Sequence, residues 1–151
     1  MRLFIDADAC PVKDEVYRVA GRYGLHTYVV ANQWINVPPS PAIERIVVEI
    51  SPDAADDWIV EQVSDGDIII TNDIPLAVRG LQKNAAILRP NGTEIDHNSV
   101  GLVSAMRDLM HDLRETGEMT SRNAAFSKAD RSRFLSALDT LIVKQRRKTK
   151  A

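Results

Sequence analysis

Over residues 2–90, short apolar runs alternate with longer segments whose apolar residues recur at helical spacing. "RLFID" (2–6) reads as a short buried strand, and Pro11 suits the first turn of a helix. Val12, Val16, Val19, Ala20 and Tyr23 form that helix's apolar face, and Gly24 ends it. "HTYVVAN" (26–32) predicts a second strand, followed by a loop holding Pro38, Pro39 and Pro41. "ERIVVEI" (44–50) predicts a third strand, "SPDAADDWIVEQVS" (51–64) a helix and "DIIIT" (67–71) a fourth strand. "IPLAVRGLQKN" (74–84) predicts a helix with Pro75 in its first turn, "AAILRP" (85–90) a fifth strand and "PNG" (90–92) a turn. Such alternation is the signature of βαβ units on a parallel sheet, an α/β fold. Two helices complete the pattern. One covers 98–116, with Val103, Met106, Met110 and Leu113 on one face. The other starts at Ser127, whose hydroxyl and Asp130 form a capping box. "GEMTSRNAAF" (117–126) is expected to be a loop between them.

The length of 151 residues suits one domain, here 1–143, followed by a basic tail at 144–151. Composition is ordinary for a soluble globular protein, with 44% apolar and 26% charged residues. No run approaches the roughly 18 apolar residues of a membrane span, and "MRLFIDAD" lacks a signal-peptide pattern. The lone cysteine excludes an internal disulfide, so a cytoplasmic protein is expected. The net charge of −2 hides an asymmetry. Lys144, Arg146, Arg147, Lys148 and Lys150 lie in the tail with no acid among them, and 14 of the 19 basic residues are left to face 21 acidic ones. The tail is either a solvated terminus or an arm that attracts phosphate.

In parallel sheets, chemistry gathers beyond the carboxyl ends of the strands. Asp6 and Asp8 follow the first strand and Asp73 follows the fourth. Ile59, Val60 and Val63 define the core face of the 51–64 helix, and the helical period turns Asp56 onto that face. Asp57 points to the side, and Asp53 is better placed as a cap. A core-facing carboxylate is costly without a partner. Carboxylates at one spot cannot all ionise without a cation, and oxygen ligands favour Mg²⁺ or Mn²⁺ over zinc. Asp8 and Asp73 also fit helix-capping roles. Thr71 either binds a phosphate oxygen or ends a strand, and Lys13 either contacts phosphate or is solvated. Cys10 reads as a small packed residue, and His26, His97 and His111 form no ligand spacing.

"DADACPVK" (6–13), "VAN" (30–32), "DAADDWIV" (53–60), "GDIIITNDIPLA" (66–77) and "FSKADRSRF" (126–134) together resemble the bacterial YaiI/YqxD family, itself grouped with PIN-like domains. The resemblance implies a three-layer, Rossmann-like fold with a central, mostly parallel sheet flanked by helices. It also implies a metal-dependent nuclease acting on RNA or another short single-stranded nucleic acid. Asp6, Asp56 and Asp73 fall on the acidic, metal-holding positions, Thr71 precedes the last of them, and Asp8 belongs to the narrower family motif. Lys13, Arg131 and the tail are the expected phosphate contacts. At 119–123 the chain has "MTSRN" where a Thr-Gly-Gly-like stretch is expected, which leaves the role of the 117–126 loop open. Two other functions fit the residues: a non-catalytic module that binds RNA or a protein, and a haloacid-dehalogenase-type phosphatase with Asp6 as nucleophile and Asp8 as acid.

Overall fold

The computed structural model describes residues 1–99 and 126–150. Six strands form one sheet: β1 (Arg2–Asp6), β2 (His26–Ala31), β3 (Ile43–Val47), β4 (Ile68–Ile70), β5 (Ala86–Leu88) and β6 (Glu94–Ile95). Their spatial order is β3-β2-β1-β4-β5-β6. Every pairing is parallel except β5 with β6. The helices are α1 (Lys13–Tyr23), α2 (Ala54–Gln62), α3 (Ile74–Gln82) and α4 (Lys128–Lys150).

The strands are apolar at nearly every position because both faces are covered. Leu3, Ile5, Val29, Ala31, Ile68, Ile70 and Leu88 pack in one layer with α1 and α4. Phe4, Val30, Ile69 and Ile87 pack in the other with α2 and α3. The result is a three-layer, Rossmann-like architecture, as the pattern and the resemblance imply. Trp58 of α2 lies against Phe4 and Tyr28, with ring centroids 6.2 and 5.6 Å away, and Ile59 is fully buried beside them. Burying a side chain such as Ile59 contributes about 1.5–3 kcal/mol and fixes the rotation of α2 about its axis.

The predicted elements recur with trimmed ends. Pro11 precedes α1, which starts at Lys13. Gly24 closes α1 in the left-handed region (φ 66°), where a side chain would be strained, and its N–H reaches the Ala20 and Gly21 carbonyls. The strand expected over 44–50 ends at Val47, and β6 has no counterpart in the apolar pattern. The capping box is present: the Asp130 N–H donates to Ser127 Oγ at 3.1 Å, and the Ser127 N–H donates to Asp130 Oδ2 at 3.0 Å. The helix it opens runs on to Lys150, so the expected boundary at 143/144 falls inside α4. The predicted 98–116 helix and most of the 117–126 loop lie outside the described residues, as does His111. Among the described residues, no helix is long and apolar enough to cross a membrane.

Candidate metal centre

β1 pairs with β2 on one side and β4 on the other, while the chain runs outward to β3 before returning to β4. This reversal leaves a crevice at the carboxyl ends of β1 and β4. Asp6 is the last residue of β1. Asp73 caps α3 just beyond β4, with Oδ1 accepting the Leu76 N–H at 3.0 Å. Asp56 lies in the first turn of α2, three residues before Ile59, and so shares its buried face. Asp53 holds the N-cap position of α2 but makes no side-chain capping bond.

One carboxylate oxygen from each of Asp6, Asp56 and Asp73 lies within 4.8 Å of the other two. Among the described residues this is the one such group of three or more acidic, histidine or cysteine side chains. The trio lines a cleft of about 340 Å³ with Asp8, Asn32, Ile50 and Ser51. A larger cavity, about 570 Å³, lies at the other end of the sheet by Gly66 and Gln145.

The three buried acids of the described chain differ sharply in their partners. Asp67 receives the Arg2 N–H at 2.9 Å, the Arg2 guanidinium at 3.0 Å and the Ser64 N–H at 2.8 Å. Glu15 pairs with Arg131 at 3.2 Å. Asp56, 9% exposed, has no hydrogen bond or ion pair among the described residues. Its pKa is pushed up to about 7, first by burial and then by the charges of Asp73, Asp6 and Asp53, with Arg79 opposing. Asp6 is also raised, mainly by burial; the Thr71 hydrogen bond opposes this, and the charges of Asp73 and Asp8 add to it. A trio of hard oxygen donors with one buried, unpartnered member fits a hard divalent cation, Mg²⁺ or Mn²⁺, better than zinc.

Asp8 lines the same cleft but stands outside the trio, and both of its oxygens accept the Asn32 N–H, at 3.1 and 3.2 Å. Thr71 is buried behind the carboxylates. Its hydroxyl donates to Asp6 Oδ2 at 2.8 Å and accepts the Asp73 N–H at 2.9 Å, so it positions two acids rather than facing a phosphate. Lys13 donates to the Cys10 carbonyl at 2.9 Å, stapling the turn after β1. Arg131 donates to the Pro11 carbonyl at 2.8 Å and ties α4 to the start of α1. Neither lines the cleft.

The basic tail is likewise displaced. Gln145 donates to the Gly66 carbonyl at the amino end of β4, whereas Arg131 meets Pro11 near the carboxyl end of β1. At about 1.5 Å per residue, the helix between them spans about 21 Å, so the tail lies at the opposite end of the sheet from the trio. Cys10 is buried, as expected for a packed residue, and burial raises its thiol pKa.

One basic residue at this edge of the sheet, Arg89, carries no role from the sequence motifs. It follows β5, is half-buried, and its Nε donates to Asn72 Oδ1 at 3.2 Å, directly beside Asp73. It has no acidic partner among the described residues. The strand-end rule that picks out Asp6 and Asp73 also picks out Arg89.

Comparisons with known proteins cover nearly the whole chain. A family model described as "Uncharacterized BCR, YaiI/YqxD family" matches residues 4–144. A UPF0178 protein of Gluconobacter oxydans is 69% identical over 147 residues, covering 97% of this chain and 84% of the relative. One from Paramagnetospirillum magneticum is 58% identical over 146 residues, covering 97% of each chain. One from Caulobacter vibrioides is 56% identical over 145 residues, covering 96% of this chain and 95% of the relative. No solved structure matches.

Proposed function

The chain belongs to the YaiI/YqxD family, and from its carboxylate trio we propose that it is a Mg²⁺- or Mn²⁺-dependent nuclease hydrolysing phosphodiester bonds in RNA. The observation that carries this reading is Asp56, a buried acid with no partner among the described residues, held with Asp6 and Asp73 inside one 4.8 Å group. Asp6, Asp56 and Asp73 would hold the cation. When bound, it supplies positive charge for the phosphoryl transition state and acidifies water. Asp56 would release its proton on filling of the site, because burial and the neighbouring carboxylates raise its pKa to about 7.

The remaining groups divide the work. Asp8, exposed at the cleft and held by the Asn32 N–H, would accept a proton from water. Thr71 keeps Asp6 and Asp73 in register. Arg89, whose Nε donates to the side chain of Asn72 at the carboxyl edge of the sheet, lies outside the cleft lining and would meet a phosphate of a substrate that extends past the trio. The test is cleavage of a short single-stranded RNA with Mn²⁺ by the native chain and by Asp6→Asn. Cleavage that needs Mn²⁺ and is lost in Asp6→Asn supports the reading. Cleavage at full rate in the variant rejects it, and RNA binding without cleavage points instead to a non-catalytic binding module.

A further inference from the structure

β3 is an edge strand: it pairs with β2 on one side, and its other side is unpaired among the described residues. The Thr27 N–H donates to the Ala42 carbonyl at 2.8 Å and the Val48 N–H to the Ala31 carbonyl at 2.9 Å. Even-numbered residues of β3 therefore turn their backbone groups toward β2, and Arg45 and Val47 turn theirs outward. The Ile43 N–H is taken by the Ser40 carbonyl, but those of Arg45 and Val47 have no partner among the described residues. Such a row is a template for another strand.

The side chains along this edge are also short of partners. Of the four large apolar side chains exposed among the described residues, Val47 ends β3, Ile50 lies just beyond it and Trp34 stands on the loop before it. The apolar pattern runs on to Ile50, yet β3 stops at Val47, level with the last residue of β2. Arg45 and Glu49 have no ion-pair partner among the described residues. The Arg45 guanidinium is held on the α1 and α4 face of the strand, 3.2 Å from the Trp34 ring centroid and 3.4 Å from the Ile35 carbonyl.

We propose that the β3 edge pairs with β3 of a second copy of this chain, antiparallel and about a two-fold axis at Val47. The axis follows from the outward backbone groups and the charges. A two-fold at Arg45 sets one guanidinium against another, and a two-fold at Ile46 sets Arg45 against Val47. At Val47, Arg45 faces Glu49 of the second copy, and Glu49 faces its Arg45. Ile46 then faces Val48 on the α2 side, and the pairing extends the strand along the apolar run that β2 leaves unpaired. The paired segment leads directly into Ile50, Ser51 and Pro52 of the cleft wall. This surface does not depend on the nuclease reading.

The test is sedimentation of the full chain over a range of concentrations, with charge exchange across the axis. The native chain is expected to dimerise. Arg45→Glu and Glu49→Arg, each of which sets like charges opposite one another twice, are each expected to weaken the dimer at least about tenfold. The double variant, Arg45→Glu with Glu49→Arg, is expected to recover most of that loss. Val47→Cys is expected to give a covalent dimer on mild oxidation, because Cα atoms of a hydrogen-bonded antiparallel pair lie about 5.5 Å apart, within disulfide reach. The native Cys10 is buried, and Val78→Cys, on the exposed side of α3, is expected to give no such dimer. A native chain that stays monomeric at submillimolar concentration overturns the proposal. So does a dimer that survives both single exchanges, a double variant no better than either single one, or a Val47→Cys variant that does not cross-link.

Discussion

The Thr71 hydroxyl donates to Asp6 Oδ2 across 2.8 Å and so joins the exit of β4 to the last residue of β1. The same oxygen accepts the Asp73 N–H at 2.9 Å, so one buried hydroxyl aligns two members of the trio. Thr71→Val keeps the shape, leaves that N–H unpaired and removes a bond that lowers the Asp6 pKa. The expected loss is about 1–3 kcal/mol, or about 2–10 °C in Tm by thermal unfolding. Thr71→Ser is expected to stay close to native. Equal Tm values for Thr71→Val and the native chain would contradict the role assigned to the hydroxyl.

Asp56 makes the cation-free protein pH-sensitive. Its folded pKa of about 7 lies above its ordinary unfolded value near 3.9. A raised carboxyl pKa contributes stability that is fully present below about pH 4 and is lost as pH rises through about 7. Asp56→Asn removes this dependence. In EDTA at pH 8 the variant is expected to melt about 2–6 °C above the native chain, and the gap is expected to narrow toward pH 5. A variant that melts below the native chain at pH 8 would show that the charge is stabilised by something else.

Much of the site is legible along the chain because two simple periodicities carry it. Strand ends flag Asp6 and Asp73, and the helical period turns Asp56 onto the face of Ile59. What stays hidden depends on contacts far apart in sequence. β6 is two residues long and exists by pairing with β5. The end of α4 reads as a solvated tail because its buried stripe of Phe134, Leu138, Leu141 and Ile142 continues into a polar residue, Gln145. That side chain is buried only because it meets the Gly66 carbonyl. Thr71 presents the same difficulty in reverse: both partners of its hydroxyl are set by the fold, so its spacing alone leaves phosphate contact open.

Arg89 is expected to serve substrate and not the cation. Arg89→Ala should lower kcat/KM on RNA about 10- to 100-fold, as loss of a charge-assisted phosphate contact does, and leave Mn²⁺ affinity unchanged. Arg89→Lys should recover part of that loss. A variant that loses Mn²⁺ binding would show instead that Arg89 shapes the trio through Asn72.

Reversing the charge of the tail tests the geometry of α4. Arg147→Glu with Lys148→Glu changes charge about 20 Å from the trio, beyond a Debye length of about 8 Å at physiological salt. Mn²⁺ affinity and cleavage at that salt are expected to stay within about twofold of native. A large fall in either would return the tail to the substrate path.

The most direct measurement is Mn²⁺ calorimetry on the native chain and on Asp56→Asn at pH 7.5. The native chain is expected to bind Mn²⁺ stoichiometrically with release of part of a proton, and Asp56→Asn is expected to bind none. Equal Mn²⁺ binding by both, or none by the native chain at millimolar Mn²⁺, would contradict a cation site built on Asp6, Asp56 and Asp73.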